Sequence, residues 1–348
     1  MYGLLGKDLK RDVSINTFVC IFNQPPRHIH EPQIGTRGCN LKQFGGWPGK
    51  TQMNSQIQGA SNYMSRKEKM KIAFQGEHGA YSEQAIYRKF GREHDTIPCE
   101  SLKLVFDHVM KGEVDLGVVP IENSIGGSID ETYDLLLKVN CTITGEIFLD
   151  IHHCLLASPG VSIQMLETVH SHPQALKQCA EYLDEINVKP VSTYDTAGAA
   201  KRIQENQSKT EGAIASKGAA EKYSLKILQE NIESSPDNMT RFLQISKDHP
   251  DQGGPVEGIS YKTSITFHGE DSPGSLYKSL KAFATRDINL TMIHSRPLKA
   301  RNFRYRFYLD LEGHADDPKI GEALSELEKQ GRSLQILATY PSNHPLPS

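Results

Sequence analysis

Between residues 70 and 245, short apolar runs alternate with stretches whose apolar residues recur at helical spacing, which restricts the chain to an open α/β architecture. Residues 70–74 read as a buried strand running into Gly76 and Gly79, which permit a tight turn. Ser82 is placed to cap the next helix, whose apolar face includes Ala85, Ile86 and Phe90. A strand, a Gly-rich turn and a helix start make a natural anion site. Residues 115–119 form a second strand, stopped by Pro120 and followed by Glu122-Asn123-Ser124, Gly126 and Gly127. A helix from near Ser128 then buries Ile129, Tyr133, Leu136 and Leu137. Polar residues just past a strand's carboxyl end are where open α/β sheets bind ligands. Asn123 and Ser124 equally suit a plain turn and cap.

Residues 146–157 alternate and then run apolar, as a strand crossing into a second lobe would. Residues 168–171 end another strand, and His172 and Pro173 open a helix. Leu176, Cys179 and Leu183 form its core stripe, with Gln178 off it. Asp195 or Thr196 caps the next helix. Residues 212–216, 227–232 and 240–245 read as strands, with a helix over 217–223. The pattern gives two α/β lobes. After a Pro/Gly/Asp-rich linker at 248–258, residues 259–341 show a β-α-β-β-α-β order. Its strands fall at about 263–268, 289–294, 304–311 and 334–338, and its helices at about 274–285 and 318–330.

The net charge of -3 argues against a nucleic-acid partner, and no apolar run approaches the ~18 residues of a membrane span. The six cysteines lack Cys-x-x-Cys pairing and zinc spacing and fit a reducing compartment, and the four beyond the tail, Cys99, Cys141, Cys154 and Cys179, read as small buried apolar residues. His152 and His153, read as neighbours on a strand, point to opposite faces, so no metal site is expected. Residues 1–69 form a poorly structured, basic, acid-poor tail. That tail suits a cytoplasmic protein, with translation from Met64 as one option and a plastid transit peptide as the alternative.

Four stretches carry a resemblance. Gly76-Glu77-His78-Gly79-Ala80-Tyr81-Ser82, Pro120-Ile121-Glu122-Asn123-Ser124, the run from Ser171-His172-Pro173-Gln174 to Gln178-Cys179, and Asn238-Met239-Thr240-Arg241-Phe242 resemble the prephenate dehydratases. Their plant-type relatives, the arogenate dehydratases, share these pieces. The resemblance implies two lobes around a periplasmic-binding-protein-like cleft, with the last segment returning to the first lobe. It implies that Thr240 is catalytic and that Tyr81, Ser82, Asn123, Ser124, Ser171, Gln178, Thr196, Arg241 and Phe242 bind substrate. Arg241 is expected to grip the side-chain carboxylate bidentately. The implied reaction takes prephenate to phenylpyruvate with loss of water and carbon dioxide, without cofactor or metal. Arogenate would give phenylalanine directly.

The C-terminal region resembles an ACT domain, a ferredoxin-like βαββαβ module. The family's Gly-Ala-Leu pattern stands here as Gly274-Ser275-Leu276, and its Glu-Ser-Arg-Pro as His294-Ser295-Arg296-Pro297, with the glutamate replaced. The resemblance implies phenylalanine as feedback effector, held by Gly274, Leu276, Asn289, Ser295 and Arg296, and a homodimer or homotetramer. Gly127-Ser128 and Tyr133-Asp134-Leu135-Leu136-Leu137 are similar to the plant-type enzymes. The tail, and the lack of an insertion between Pro297 and Phe303, are similar to the microbial ones, and prephenate is the favoured substrate. Residues 1–69 lack the long Arg-bearing helices of a chorismate mutase. Two lobes and an ACT domain would also make a non-catalytic sensor of an aromatic precursor, but a mere binder has no need of Thr240-Arg241-Phe242.

Overall fold

The computed structural model describes residues 69–248, 254–269, 272–298 and 305–343. The chain divides into two units, Met1–Arg66 and Lys67–Ser348, and every described residue belongs to the second. The expectations for the tail, including Met64, Cys20 and Cys39, lie outside the described residues, as do linker residues 249–253 and most of the stretch between Pro297 and Phe303.

The first lobe carries β1 (Lys71–Gln75), α1 (Tyr81–Phe90), β2 (Asp95–Cys99), α2 (Leu102–Lys111), β3 (Leu116–Asn123), β4 (Gly127–Ser128), α3 (Asp130–Lys138) and β5 (Thr142–Asp150). The second carries β6 (Cys154–Ala157), β7 (Thr168–Ser171), α4 (Pro173–Gln178), α5 (Ala180–Glu185), β8 (Lys189–Ser192), α6 (Thr196–Asn206), β9 (Glu211–Ala215), α7 (Lys217–Tyr223) and β10 (Lys226–Glu230). β11 (Met239–Ser246) then returns to the first sheet, between β3 and β5, giving the order β2-β1-β3-β11-β5 with β4 on β3. The second sheet runs β10-β6-β9-β7-β8. The chain thus crosses between the lobes at residues 151–153 and again at 231–238.

Local chemistry sets the helix starts. Ser101 caps α2 by accepting from Leu104 N–H, and left-handed Gly112 ends that helix. His172 Nδ1 accepts from Gln174 N–H at the start of α4. Of the two residues expected to cap α6, Asp195 does so. Ser82 is not a cap: Ala80 holds that position, and Ser82 is buried in the first turn. His152 and His153 lie in the first crossover, not on a strand. Burial pushes the thiols of Cys99, Cys141 and Cys154 up to about 11, which leaves them unreactive at neutral pH.

The lobes touch where the Gly76–Ala80 turn meets α6 and α7. Ser216 Oγ donates to Gly79 O at 2.6 Å, and Glu77 N–H donates to Asp195 Oδ2 at 3.1 Å. Gly79 has φ +88°, and a Cβ there would lie 2.6 Å from Ala219 Cα. Backbone cannot yield as a side-chain tip can, so Gly79→Ala should push the lobes apart. The expected cost is about 1–3 kcal/mol, read by urea denaturation, with a parallel loss of activity.

The C-terminal domain carries β12 (Tyr261–His268), α8 (Ser275–Ala284), β13 (Leu290–Pro297), β14 (Tyr305–Glu312), α9 (Pro318–Lys329) and β15 (Ser333–Pro341), in sheet order β13-β14-β12-β15. Strand alternation gives its sheet two buried faces. Leu309 and Leu311 pack under the helices with Phe283, Ile320 and Leu327. Tyr308 and Tyr340 face the first lobe, in a core with Tyr133, Leu136, Ile143 and Leu243.

Candidate active site

β11 and the end of β3 bring Thr240 and Asn123 into register. Asn123 Oδ1 accepts from Ile125 N–H at 3.1 Å and Gly126 N–H at 2.6 Å, which fixes the amide orientation. Its nitrogen therefore faces Asn238 Oδ1 at 2.8 Å, Met239 O at 3.1 Å and Thr240 Oγ1 at 2.9 Å. Thr240 Oγ1 accepts from this amide and keeps its own hydrogen to donate. Ser124 Oγ accepts from Met239 N–H and donates to Asp237 O, both at 2.9 Å, tying the loop to the second crossover.

Asn238 and Gln174 were not picked out as site residues by sequence. Asn238 is buried beside this pair, and its Nδ2 has no partner among the described residues. Strand spacing could have found it, since residues 238 and 240 share a face. Gln174 reaches over from the second lobe, its Nε2 lying 3.3 Å from the position a Gly126 Cβ would take.

A second constellation spans the hinge. Tyr81 OH lies 2.7 Å from His153 Nδ1 and 2.8 Å from His152 O. His153 Nε2 meets Gln178 Oε1 at 2.8 Å. Glu233, from the other crossover, accepts from His153 N–H at 2.8 Å and contacts His152 Nδ1 at 2.8 Å. Tyr81 and Gln178 thus join their lobes through one imidazole. Burial holds His153 below the usual 6.5, and the hydrogen bond to Gln178 opposes that only in part. The unfolded chain therefore binds this proton more readily than the folded one. Stability from this group is complete above the ordinary histidine range and declines as pH falls below 6.5. Urea denaturation across that range should show the decline, and His153→Gln should reduce it.

Three expected substrate contacts are placed elsewhere. Arg241 follows Thr240 on a strand and so points to the opposite face. It is 6% exposed, with Nε 2.8 Å from Glu146 Oε2, Nη1 2.6 Å from Asp310 Oδ2 and Nη2 donating to Tyr340 OH at 2.9 Å. Phe242 is a core residue beside Phe74 and Ile147. Ser171 is wholly buried, and its hydroxyl donates to Ile214 O at 2.6 Å. Thr196 opens α6, half-buried beside the Glu77–Asp195 contact.

In the C-terminal domain, Gly274 (φ +75°) and Leu276 lie where α8 begins, at the sheet end to which β13 brings Ser295 and Arg296. Asn289 precedes the other end of β13, ~23 Å away by strand rise, so the fold does not bring it to Gly274 within one chain. Arg296 pairs with Asp130 and, at 3.3 Å, with Asp134 of α3. His294 Nε2 meets Asp130 Oδ1 at 3.1 Å, where the family's glutamate would face a like charge.

Asn123 at the end of β3 is paired with Thr240 on β11, in a two-lobed α/β domain followed by a ferredoxin-like one, and this is the architecture of a two-lobed dehydratase with an ACT domain. Residues 72–250 match the family model for prephenate dehydratase, and residues 263–329 that for the ACT domain. The chain is 41% identical over 287 residues to arogenate dehydratase/prephenate dehydratase 2, chloroplastic, of Arabidopsis thaliana, covering 80% of this chain and 74% of the relative. The solved prephenate dehydratase of Arthrobacter aurescens, in complex with L-Phe, is 30% identical with a TM-score of 0.71, covering 80% and 92%. GqqA, described as a novel type of quorum quenching acylase, is 34% identical with a TM-score of 0.72, covering 79% and 98%. This chain belongs to the prephenate dehydratase family, and it is a lyase with an ACT regulatory domain.

Proposed function

We propose that the chain removes water and carbon dioxide from prephenate to give phenylpyruvate, with Thr240 as the catalytic donor and phenylalanine as feedback effector. The observation that carries this reading is the Thr240 hydroxyl, which accepts from the Asn123 amide at 2.9 Å and so keeps its own proton to donate. Aromatisation of the ring supplies the drive. The enzyme needs to stabilise charge on the departing hydroxyl, and a positioned neutral donor does this better than a weak acid acts as proton source. Gln174 Nε2, reaching over from the second lobe, is a neutral donor available to a substrate carboxylate. Neutral donors suit the ring carboxylate, because a cation clamped on it would stabilise the charge it must lose. Acyl transfer would instead need Thr240 to give its proton to a base, and the neighbour at 2.9 Å is an amide donor.

Arogenate is the second reading, favoured by the paired activities in the Arabidopsis relative's name. That relative is chloroplastic, which supports a plastid address as the alternative to the cytoplasm. Ile293, Tyr305 and Ile336 of the ACT domain are 50%, 44% and 46% exposed, which supports pairing into a homodimer or homotetramer. Purified protein supplied with prephenate or arogenate, with and without phenylalanine, tests the proposal. Phenylpyruvate formed preferentially from prephenate and suppressed by phenylalanine supports it. Preferential turnover of arogenate moves the assignment to the second reading.

A further inference from the structure

The pairing of β11 with β3 is irregular beside Thr240. Arg241 opposes Glu122 while Phe242 opposes Pro120, so Ile121 is bulged out and Pro120 has no N–H to give. On the β3 side the ladder is interrupted next to the catalytic hydroxyl, while on the β5 side Thr240 keeps regular register with Leu149. The next residue compensates. Arg241 drives its side chain through the back of the sheet into a buried network with Glu146, Lys262, Ser264, Asp310 and Tyr340.

Only Arg241 and Glu146 of this network come from the dehydratase domain. Lys262 Nζ lies 2.8 and 3.0 Å from the Glu146 oxygens, and Ser342 Oγ and Asn343 N–H also donate to Glu146. Ser264 Oγ donates to Asp310 Oδ1 at 2.5 Å and lies 2.9 Å from Tyr340 OH. Arg241 and Lys262 balance Glu146 and Asp310 in charge, and all four are at most 7% exposed at the side chain. Removing the ACT domain would take away Asp310 and Tyr340, leaving Arg241 with Glu146 and a 4.0 Å approach of Nη1 to the exposed Glu122 carboxylate.

We propose that Arg241 is a positioning residue that holds Thr240 in place through a charge network only the ACT domain completes. The dehydratase site is then built by both domains. The inference rests on the reading of Thr240 as catalytic donor, so Thr240→Val is measured alongside.

Three full-length variants test it by kcat and KM per folded molecule. Tyr340→Phe keeps the ring and removes one acceptor of Arg241. Asp310→Asn removes a charge that touches no substrate. Arg241→Met with Asp310→Leu removes a balanced pair, which restores stability where the single charge change lowers it. Each should lower kcat by roughly tenfold with KM unchanged, the loss expected for a hydrogen bond to a charged group. The double variant should recover its melting temperature and not its kcat. A kcat per folded molecule that stays at wild type in Tyr340→Phe and in the double variant overturns the inference, as does a raised KM at unchanged kcat, which would place Arg241 on the substrate. If Thr240→Val is inactive and these variants are fully active, only this inference fails. If Thr240→Val is active, the donor assignment itself fails.

Discussion

Thr240→Val should fold as the wild type does and lose about 10²–10³ in kcat, the usual effect of deleting one well-placed donor to a developing oxyanion. Valine keeps the shape and the β-branch that suit a strand, so β11 should still pair with β3 and β5. What it removes is the acceptor for Asn123 and the donor to the substrate. The Asn123 amide loses little, because Asn238 Oδ1 and Met239 O remain for its two hydrogens. The loss should therefore fall on kcat and not on the melting temperature or KM. Thr240→Ser, which restores the hydroxyl without the methyl, should recover most of the rate. Steady-state kinetics and thermal melts on the three proteins check this.

The second large effect is on stability. Glu146→Leu leaves Arg241 and Lys262 in the interior with Asp310 as their one remaining buried carboxylate, the other neighbour of Arg241 being the exposed Glu122 at 4.0 Å. Breaking a buried network by removing one partner costs about 3–5 kcal/mol, much of it the penalty of the charge left behind. Urea denaturation of the full chain should read a loss of that size, and Glu146→Leu with Lys262→Met should regain most of it. The pH dependence has a definite sign. Burial works to raise the Glu146 carboxyl, but Arg241 and Lys262 outweigh it, so its pKa falls below the usual 4.5. A carboxyl depressed in the folded state stabilises the protein above its unfolded value, and that stability is lost as pH falls below 4.5. Glu146→Gln should flatten this acid decline.

Strand and helix periodicity marks the elements of both lobes and the six elements of the ACT domain to within a few residues, while the return of the last strand to the first sheet follows from the resemblance. β2, α2 and β8 were not singled out. The strand Asp95–Cys99 contains Pro98 and alternates poorly, and it is tolerated because it is a sheet edge. At the site, the Asn-Met-Thr-Arg-Phe stretch is visible as a motif, but a motif alone does not say which of its side chains share a face. A strand cannot present Thr240 and Arg241 to the same side. The same alternation, applied to the motif, would have set Asn238 with Thr240 and turned Arg241 away. Its partners Asp310 and Tyr340 were not foreseeable, because they come from a different domain about 70 and 100 residues further on. Ser171 looked like a polar residue at a strand end, and only the neighbouring strand showed its hydroxyl engaged by Ile214 O.

The most direct test of the central claim is product stoichiometry from purified wild-type protein and prephenate. The account predicts phenylpyruvate and carbon dioxide released in equal amounts at a rate that Thr240→Val abolishes. Prephenate bound but not consumed would contradict it and make the chain a sensor. Turnover that survives in Thr240→Val would leave the chain an enzyme and remove Thr240 from its chemistry.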